Sequence, residues 1–221
     1  MTERKGRLLN EDGRHLFDSM QQASRIAQPQ MVVPSFGFTG EMASGKTTFA
    51  NELRTQLERE FGIQVYRYTL STKIVEIAVD LFDMQSKNRV LLGDISEKMR
   101  EIDPAVWTNY VINKIKKNGH LPFIVDGIRY VLDEGRLRSE FPGFMVIRVD
   151  TDERQRLEVY KRVYGRYPSE DEVNNKGEGD VSKITHDLCF FNDYSEGISV
   201  RRSMEIIESL RRGTLAGPPR R

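Results

Sequence analysis

The chain has 221 residues, 38 % hydrophobic and 30 % charged, with 34 Lys and Arg against 33 Asp and Glu and a net charge of +1. That length suits one domain with a small subdomain or lid, and the balanced charge argues against a general field for nucleic acid or an anionic membrane. A single cysteine, Cys189, excludes an internal disulfide and a cysteine-based zinc site, no apolar run reaches the length of a membrane span, and no signal-like segment follows Met1, so the expectation is a soluble, cytoplasmic protein.

Residues 1–30 read as an N-terminal helical extension. Leu16, Phe17, Met20, Ala23 and Ile26 recur at helical spacing, and Pro29 closes the stretch. A packing helix is one reading of it and a partner-binding or oligomerising segment, such as a homodimer contact, is the other. A domain spanning 31–210 follows, and it opens on an apolar strand over 31–39.

That strand runs into Gly40-Glu41-Met42-Ala43-Ser44-Gly45-Lys46-Thr47, a G-x-x-x-x-G-K-T run, and then into a helix with Phe49, Leu53, Leu57 and Phe61 on one face. Strand, glycine loop and helix in that order are what a phosphate-binding P-loop requires. The glycines let successive N–H groups curl inward onto an anion, and the helix adds its positive end at the same point. Gly40, Ala43, Ser44, Gly45, Lys46, Thr47 and Thr48 are therefore the expected nucleotide-binding residues, with Lys46 reaching the terminal phosphates of ATP and Thr47 placed for Mg²⁺.

Gly62 ends this helix. Residues 63–68 alternate as a second strand, and Thr69-Leu70-Ser71-Thr72 leads into a helix capped by Ser71 or Thr72. Residues 86–117 read as two helices parted at Asp103-Pro104, with Asp103 as N-cap. Strands over 121–125 and 144–149 follow, with a short helix over 131–139 between them. Residues 151–164 form a charged helix and 167–187 a polar, glycine-containing loop, together a lid over about 151–187. A last short strand, 188–191, a helix over 198–210 and a disordered basic tail, 211–221, complete the chain. Alternating strands and helices imply an α/β three-layer sandwich, a P-loop NTPase with a five-stranded, mainly parallel sheet.

Ligands bind beyond the carboxyl ends of such strands. The third strand ends in Asp126-Gly127-Ile128-Arg129. Asp126 stands where a second acid could hold Mg²⁺ with Thr47, or cap the next turn. Arg129 could turn back to grip a phosphate bidentately, or make a surface ion pair. His15, His120 and His186 show no metal-ligand spacing.

Together these motifs resemble the P-loop nucleoside monophosphate kinases, including adenylate kinase and the phage-type deoxynucleoside monophosphate kinases. Adenylate-kinase-like proteins carry Asp-Gly-x-Pro-Arg after the third strand. Asp126-Gly127-Ile128-Arg129 is one residue shorter and lacks the proline, which is closer to the deoxynucleotide subgroup. The stretches Tyr68 to Ala78, Arg89 to Gly93 with Arg100, and Asp103-Pro104-Ala105-Val106-Trp107 are similar to that subgroup too, so the resemblance spans about residues 31–200. It implies transfer of the ATP γ-phosphoryl to a nucleoside 5′-monophosphate, with a modified pyrimidine deoxynucleotide as one variant. It also implies roles. Ser71, Arg89, Trp107 and Arg129 would face the acceptor, Arg162 and Arg166 would act from the lid, and Asn192 would contact the adenine of ATP. Unaided by the resemblance, Trp107, at helical spacing with Val111, reads more readily as core. A dephospho-CoA kinase and a non-catalytic P-loop module are the alternatives.

Overall fold

The computed structural model describes residues 32–173 and 176–215, so the expected N-terminal helix and residues 216–221 of the tail lie outside the described residues. The strands are β1 (Phe36–Thr39), β2 (Tyr66–Thr69), β3 (Phe123–Ile128), β4 (Met145–Asp150) and β5 (Leu188–Phe191), joined in the order β2-β3-β1-β4-β5. All four pairings are parallel, so the mainly parallel sheet is wholly parallel. β1, β3 and β4 are almost fully buried, which explains why they read as continuous apolar runs.

The P-loop helix α1 (Lys46–Phe61) lays Phe49, Ala50, Leu53 and Leu57 on one face of the sheet, against Phe36, Phe38, Ile124 and Ile147. Gly62 ends it in the left-handed conformation (φ 63°), its N–H donating to the Glu58 carbonyl. The last helix, α9 (Ile198–Arg211), covers the same face through Ile206, Ile207 and Leu210. Arg211 is thus the final helical residue, not the start of the tail, and its guanidinium pairs with Glu60 at 2.6 Å.

The other face is covered by α4 (Val106–Asn118) and α5 (Val131–Glu140). Val111, Ile112, Ile115 and Leu137 pack there on Phe123, Val125 and Val146. Gly37 lies on this side of β1 because Ile128 and Phe144 fill the space where a side chain would stand. A third cluster forms where α2 (Thr72–Phe82), α3 (Arg89–Ile102) and the start of α4 meet, around Ile74, Ala78, Ile95 and Trp107. Asp103 does not cap α4 directly. It lies two residues ahead of the Ala105 cap and accepts the Ala105 N–H at 2.9 Å.

The expected lid is more ordered than its composition suggests. It comprises α6 (Glu153–Tyr164), α7 (Glu170–Val173), α8 (Lys176–Asp180) and a 3-10 turn at Val181–Lys183. The physical reason is anchoring at both ends. Tyr160 is fully buried with its hydroxyl on Glu172 at 2.8 Å, and Val181 and Ile184 are buried beyond α8. Among the described residues no helix is long and apolar enough to cross a membrane.

Candidate active site

Between β1 and α1 the loop curls through positive φ at Gly40 (146°), Ala43 (58°) and Gly45 (89°). A Cβ on Gly40 would lie 2.5 Å from the Val149 carbonyl oxygen, and one on Gly45 would run into the Asn192 amide, so both positions exclude a side chain. α1 starts with no side-chain cap and no acid in its first turn. Its first N–H groups and positive end are therefore left to an anion, with Thr47 and Thr48 exposed beside them.

Lys46 is 8 % exposed, and its Nζ donates to the Glu41 carbonyl at 2.8 Å. Burial first, and then the charge of Arg129, bring its pKa down from 10.5 to about 7. A phosphate chain brought to the loop favours the charged form, so above pH 7 binding must take up a proton. The expected result is a triphosphate affinity that falls by up to about tenfold per pH unit between pH 7 and 9. Calorimetry in buffers of differing ionisation heat measures this, and a flat profile would remove Lys46 from the phosphate site.

Asp126 is brought to the loop by a break in the sheet. The β1–β3 register shifts between Phe38 and Thr39, where Gly127 takes φ 86° and Thr39 Oγ1 donates to the Ile128 carbonyl at 3.0 Å. Asp126 Oδ2 accepts Thr47 Oγ1 at 2.8 Å and Arg67 Nη2 at 2.6 Å. Its Oδ1 is buried without a partner, an unmet acceptor beside the P-loop threonine. Among the described residues no group of three or more His, Cys, Asp or Glu gathers to hold a metal. Thr47 and Asp126 fit Mg²⁺ all the same, because this ion is commonly held by one carboxylate together with substrate phosphates and water.

The opposite wall is cationic. Arg129, 28 % exposed, is pushed down to about 10 by loss of solvent and then by the charge of Arg89. It pairs with Glu178 of α8. Arg89, at the start of α3, lies over the rings of Tyr160 (5.3 Å) and Tyr164 (4.9 Å) and donates to the Tyr164 hydroxyl at 3.0 Å. Its Nε is buried and unpartnered. Past Arg129, a cavity of about 280 Å³ is lined by Glu97, Arg100, Tyr130 and Asp180 among others.

The structure thus gathers Lys46, Thr47, Asp126, Arg129 and Arg89, and it gives Trp107, Asn192, Ser71, Arg162 and Arg166 other surroundings. Trp107 is 2 % exposed in the α2–α3–α4 cluster, its indole N–H on the Ser96 carbonyl at 3.2 Å, so it is part of the core. Asn192 is 3 % exposed. Its Nδ2 donates to the Ser44 carbonyl at 2.9 Å and its Oδ1 accepts the Tyr194 N–H, which makes it a brace for the loop. Ser71 is exposed at the start of α2, where its side chain makes no capping bond. Arg166 is taken up by Glu172 at 2.6 Å, which holds that carboxyl down to about 2, and Arg162 is exposed on the last turn of α6.

The arginine of α6 that does reach the loop is Arg156, which is 8 % exposed and pairs with Glu41 at 2.9 Å. The resemblance points instead to Arg162 and Arg166, which adjoin the polar loop. Burial decided otherwise. Arg67, Tyr194 and Glu178 were not singled out at all. Tyr194 donates to the Ala43 carbonyl at 2.6 Å, and Glu178 accepts the Met42 N–H at 2.9 Å.

No protein-family model matches the chain, and no curated protein does. Solved structures do. A gluconokinase from Sinorhizobium meliloti 1021 aligns with TM-score 0.54 and 11 % identity over 82 % of this chain and 95 % of that one. Shikimate kinase from Acinetobacter baumannii, in complex with shikimate, gives TM-score 0.51 and 15 % identity over 83 % and 96 %. A sugar kinase from Janibacter sp. HTCC2649 gives 0.50 and 13 % over 80 % and 95 %. These similarities show the fold, an α/β sandwich with a five-stranded parallel sheet shared with P-loop kinases.

Proposed function

We propose that the chain is an ATP-dependent phosphotransferase whose acceptor already carries a phosphate, a nucleoside monophosphate or deoxynucleoside monophosphate kinase. One observation carries the reading: the charges of Arg129 and Arg89 both reach Lys46 and that of Arg89 reaches Arg129, with Asp126 the acid that acts on both Lys46 and Arg129. A neutral sugar would bring no charge to that cationic wall, and a hydroxy acid only its single carboxylate. An ester phosphate brings a charge of about −2 at neutral pH and balances it.

In this arrangement the loop N–H groups, the start of α1 and Lys46 hold the donor phosphates, and Arg129 and Arg89 hold the acceptor phosphate across from them. Mg²⁺ at Thr47 and Asp126 would neutralise charge on the donor phosphates. Direct transfer to a phosphate oxygen needs position and charge more than a strong base. The carboxylates at the loop agree with that, since Asp126, Glu41 and Glu178 are each tied to an arginine. The cavity beside Tyr130 would receive the acceptor's nucleoside, in place of Trp107.

The test is a panel of ribo- and deoxynucleoside monophosphates, dephospho-CoA and shikimate, each incubated with ATP–Mg²⁺ and the protein. Acceptor-dependent ADP with a nucleoside monophosphate is the expected result, and no ADP across the panel would reject the kinase reading. In the same assay Arg129→Ala should lower kcat/KM for the acceptor by about a hundredfold, as the loss of a charge-assisted bidentate contact does. The KM for ATP should move far less. Because the Arg129 charge helps depress Lys46, this variant should also shift the pH midpoint of triphosphate binding upward. An unchanged acceptor kcat/KM would take Arg129 out of the site.

A further inference from the structure

The Met42 N–H belongs to the P-loop, yet it is satisfied neither within the loop nor by solvent. It donates at 2.9 Å to Glu178 Oε2, a side chain 136 residues away on α8, and the other oxygen of that carboxylate pairs with Arg129. A backbone N–H from a phosphate-binding loop together with an arginine guanidinium is an anion site, and a carboxylate and a phosphoryl group offer it the same kind of oxygen. Glu178 is also well enclosed, with its side chain only 10 % exposed.

We infer that Glu178 is a tethered competitor for phosphate: its carboxylate occupies the Met42 N–H of the loop, which a phosphoryl oxygen takes when nucleotide binds, and it holds Arg129 until then. The inference rests on the P-loop being a phosphate site and adds how that site is guarded.

The local sequence supports displacement over permanent structure. Glu178 is flanked by Gly177 and Gly179 in the five-residue helix Lys176–Asp180. Two glycines in so short a helix supply little intrinsic stability, so the placing of α8 depends on its contacts, those of Glu178 among them. Immediately afterwards Val181 and Ile184 are buried, at 1 % and 2 % exposure, so the chain stays anchored beyond α8 when Glu178 leaves the loop. Arg129 released from Glu178 is the same arginine assigned to the acceptor phosphate. Filling the donor site would therefore free the acceptor site, which gives an order to substrate binding. A carboxylate docked in most molecules reduces apparent affinity by the fraction of time that it is away.

The experiment is equilibrium binding of ATP–Mg²⁺ and of inorganic tripolyphosphate to the wild-type chain, Glu178→Gln and Glu178→Ala, with Lys46→Met as the reference for a lost phosphate site. The expected result is roughly ten- to hundredfold tighter binding by both Glu178 variants. Hydrogen exchange of the wild-type chain needs no variant to fold. There the amides of residues 176–180 should exchange faster once ATP–Mg²⁺ is added, while those of the β3 strand do not. Binding by the Glu178 variants that is equal to or weaker than wild type, or exchange at 176–180 that is unchanged or slower, would overturn the inference and make Glu178 a fixed support for Arg129. If wild type binds and Lys46→Met does not, the phosphate reading stands whatever Glu178 does. If no form binds either ligand, both readings fall together.

Discussion

Lys46→Met is expected to abolish turnover, by about a thousandfold or more, while leaving the protein folded and at least as stable as wild type. The first half follows from position. Lys46 is the cationic side chain of the loop itself, and removing one preorganised donor from a developing negative charge commonly costs two to three orders of magnitude. The second half follows from its pKa. Burial lowers it from 10.5 to about 7, so between these values the unfolded chain binds more protons than the folded one. By linkage this lysine opposes folding most strongly at and below pH 7, and its penalty fades as pH approaches the unfolded value. At pH 7.5 the penalty is on the order of 4 kcal/mol, and methionine keeps the apolar stem while dropping the charge. The nucleotide-free melting temperature should therefore stay level or rise. Activity lost along with several degrees of melting temperature would mean that Lys46 serves the fold, and near-normal turnover would mean that the loop had been misread.

The same contrast between a charge needed for chemistry and one needed for folding explains what could be read before the structure was known. The P-loop and the strand-end acid were legible because their chemistry demands fixed residue types at fixed spacing along the chain. The supports around them are distant in sequence. Asn192 and Tyr194 follow β5 and brace Ser44 and Ala43, a contact of about 150 residues that only the parallel order β1-β4-β5 creates. Arg156 and Arg162 have the same composition and differ in which side of α6 meets the body of the domain. That is a matter of phase around a helix whose apolar stripe is too weak to fix it by inspection. Trp107 was ambiguous for the opposite reason: its helix is apolar enough for core, and its motif suggested a site.

Arg67 left a signal that could have been followed. It stands between Tyr66 and Tyr68 in an alternating strand, so it points to the face opposite Tyr68, toward α1. A charge on the covered face of a strand needs a partner there, and the acid at the end of the neighbouring strand was the nearest candidate. Pairing of Thr69 with Asp126 in the β2–β3 register places the two within reach.

That pair gives the second large effect. Asp126→Asn should cut Mg²⁺-dependent turnover by about a thousandfold and also destabilise the fold, for two separable reasons. Loss of the negative charge removes the ligand that Oδ1, buried and unpartnered, offers to a cation, and leaves the Thr47 hydroxyl without its carboxylate acceptor. It also leaves the Arg67 guanidinium, 2.6 Å from Oδ2 and 24 % exposed, without a countercharge. Breaking one side of such a pair costs about 3–5 kcal/mol when fully buried, and partial exposure of Arg67 brings the expectation nearer 2 kcal/mol. The double variant Arg67→Met, Asp126→Asn should recover most of the lost melting temperature, since it removes the stranded charge, and recover none of the turnover. Chemical denaturation and steady-state rates across a Mg²⁺ titration measure the two effects independently. Turnover restored by the second substitution would show that Asp126 acts only by neutralising Arg67. Stability left unrestored would show that the carboxylate's bond to Thr47, and not the ion pair, is what holds the end of β3 against the start of α1.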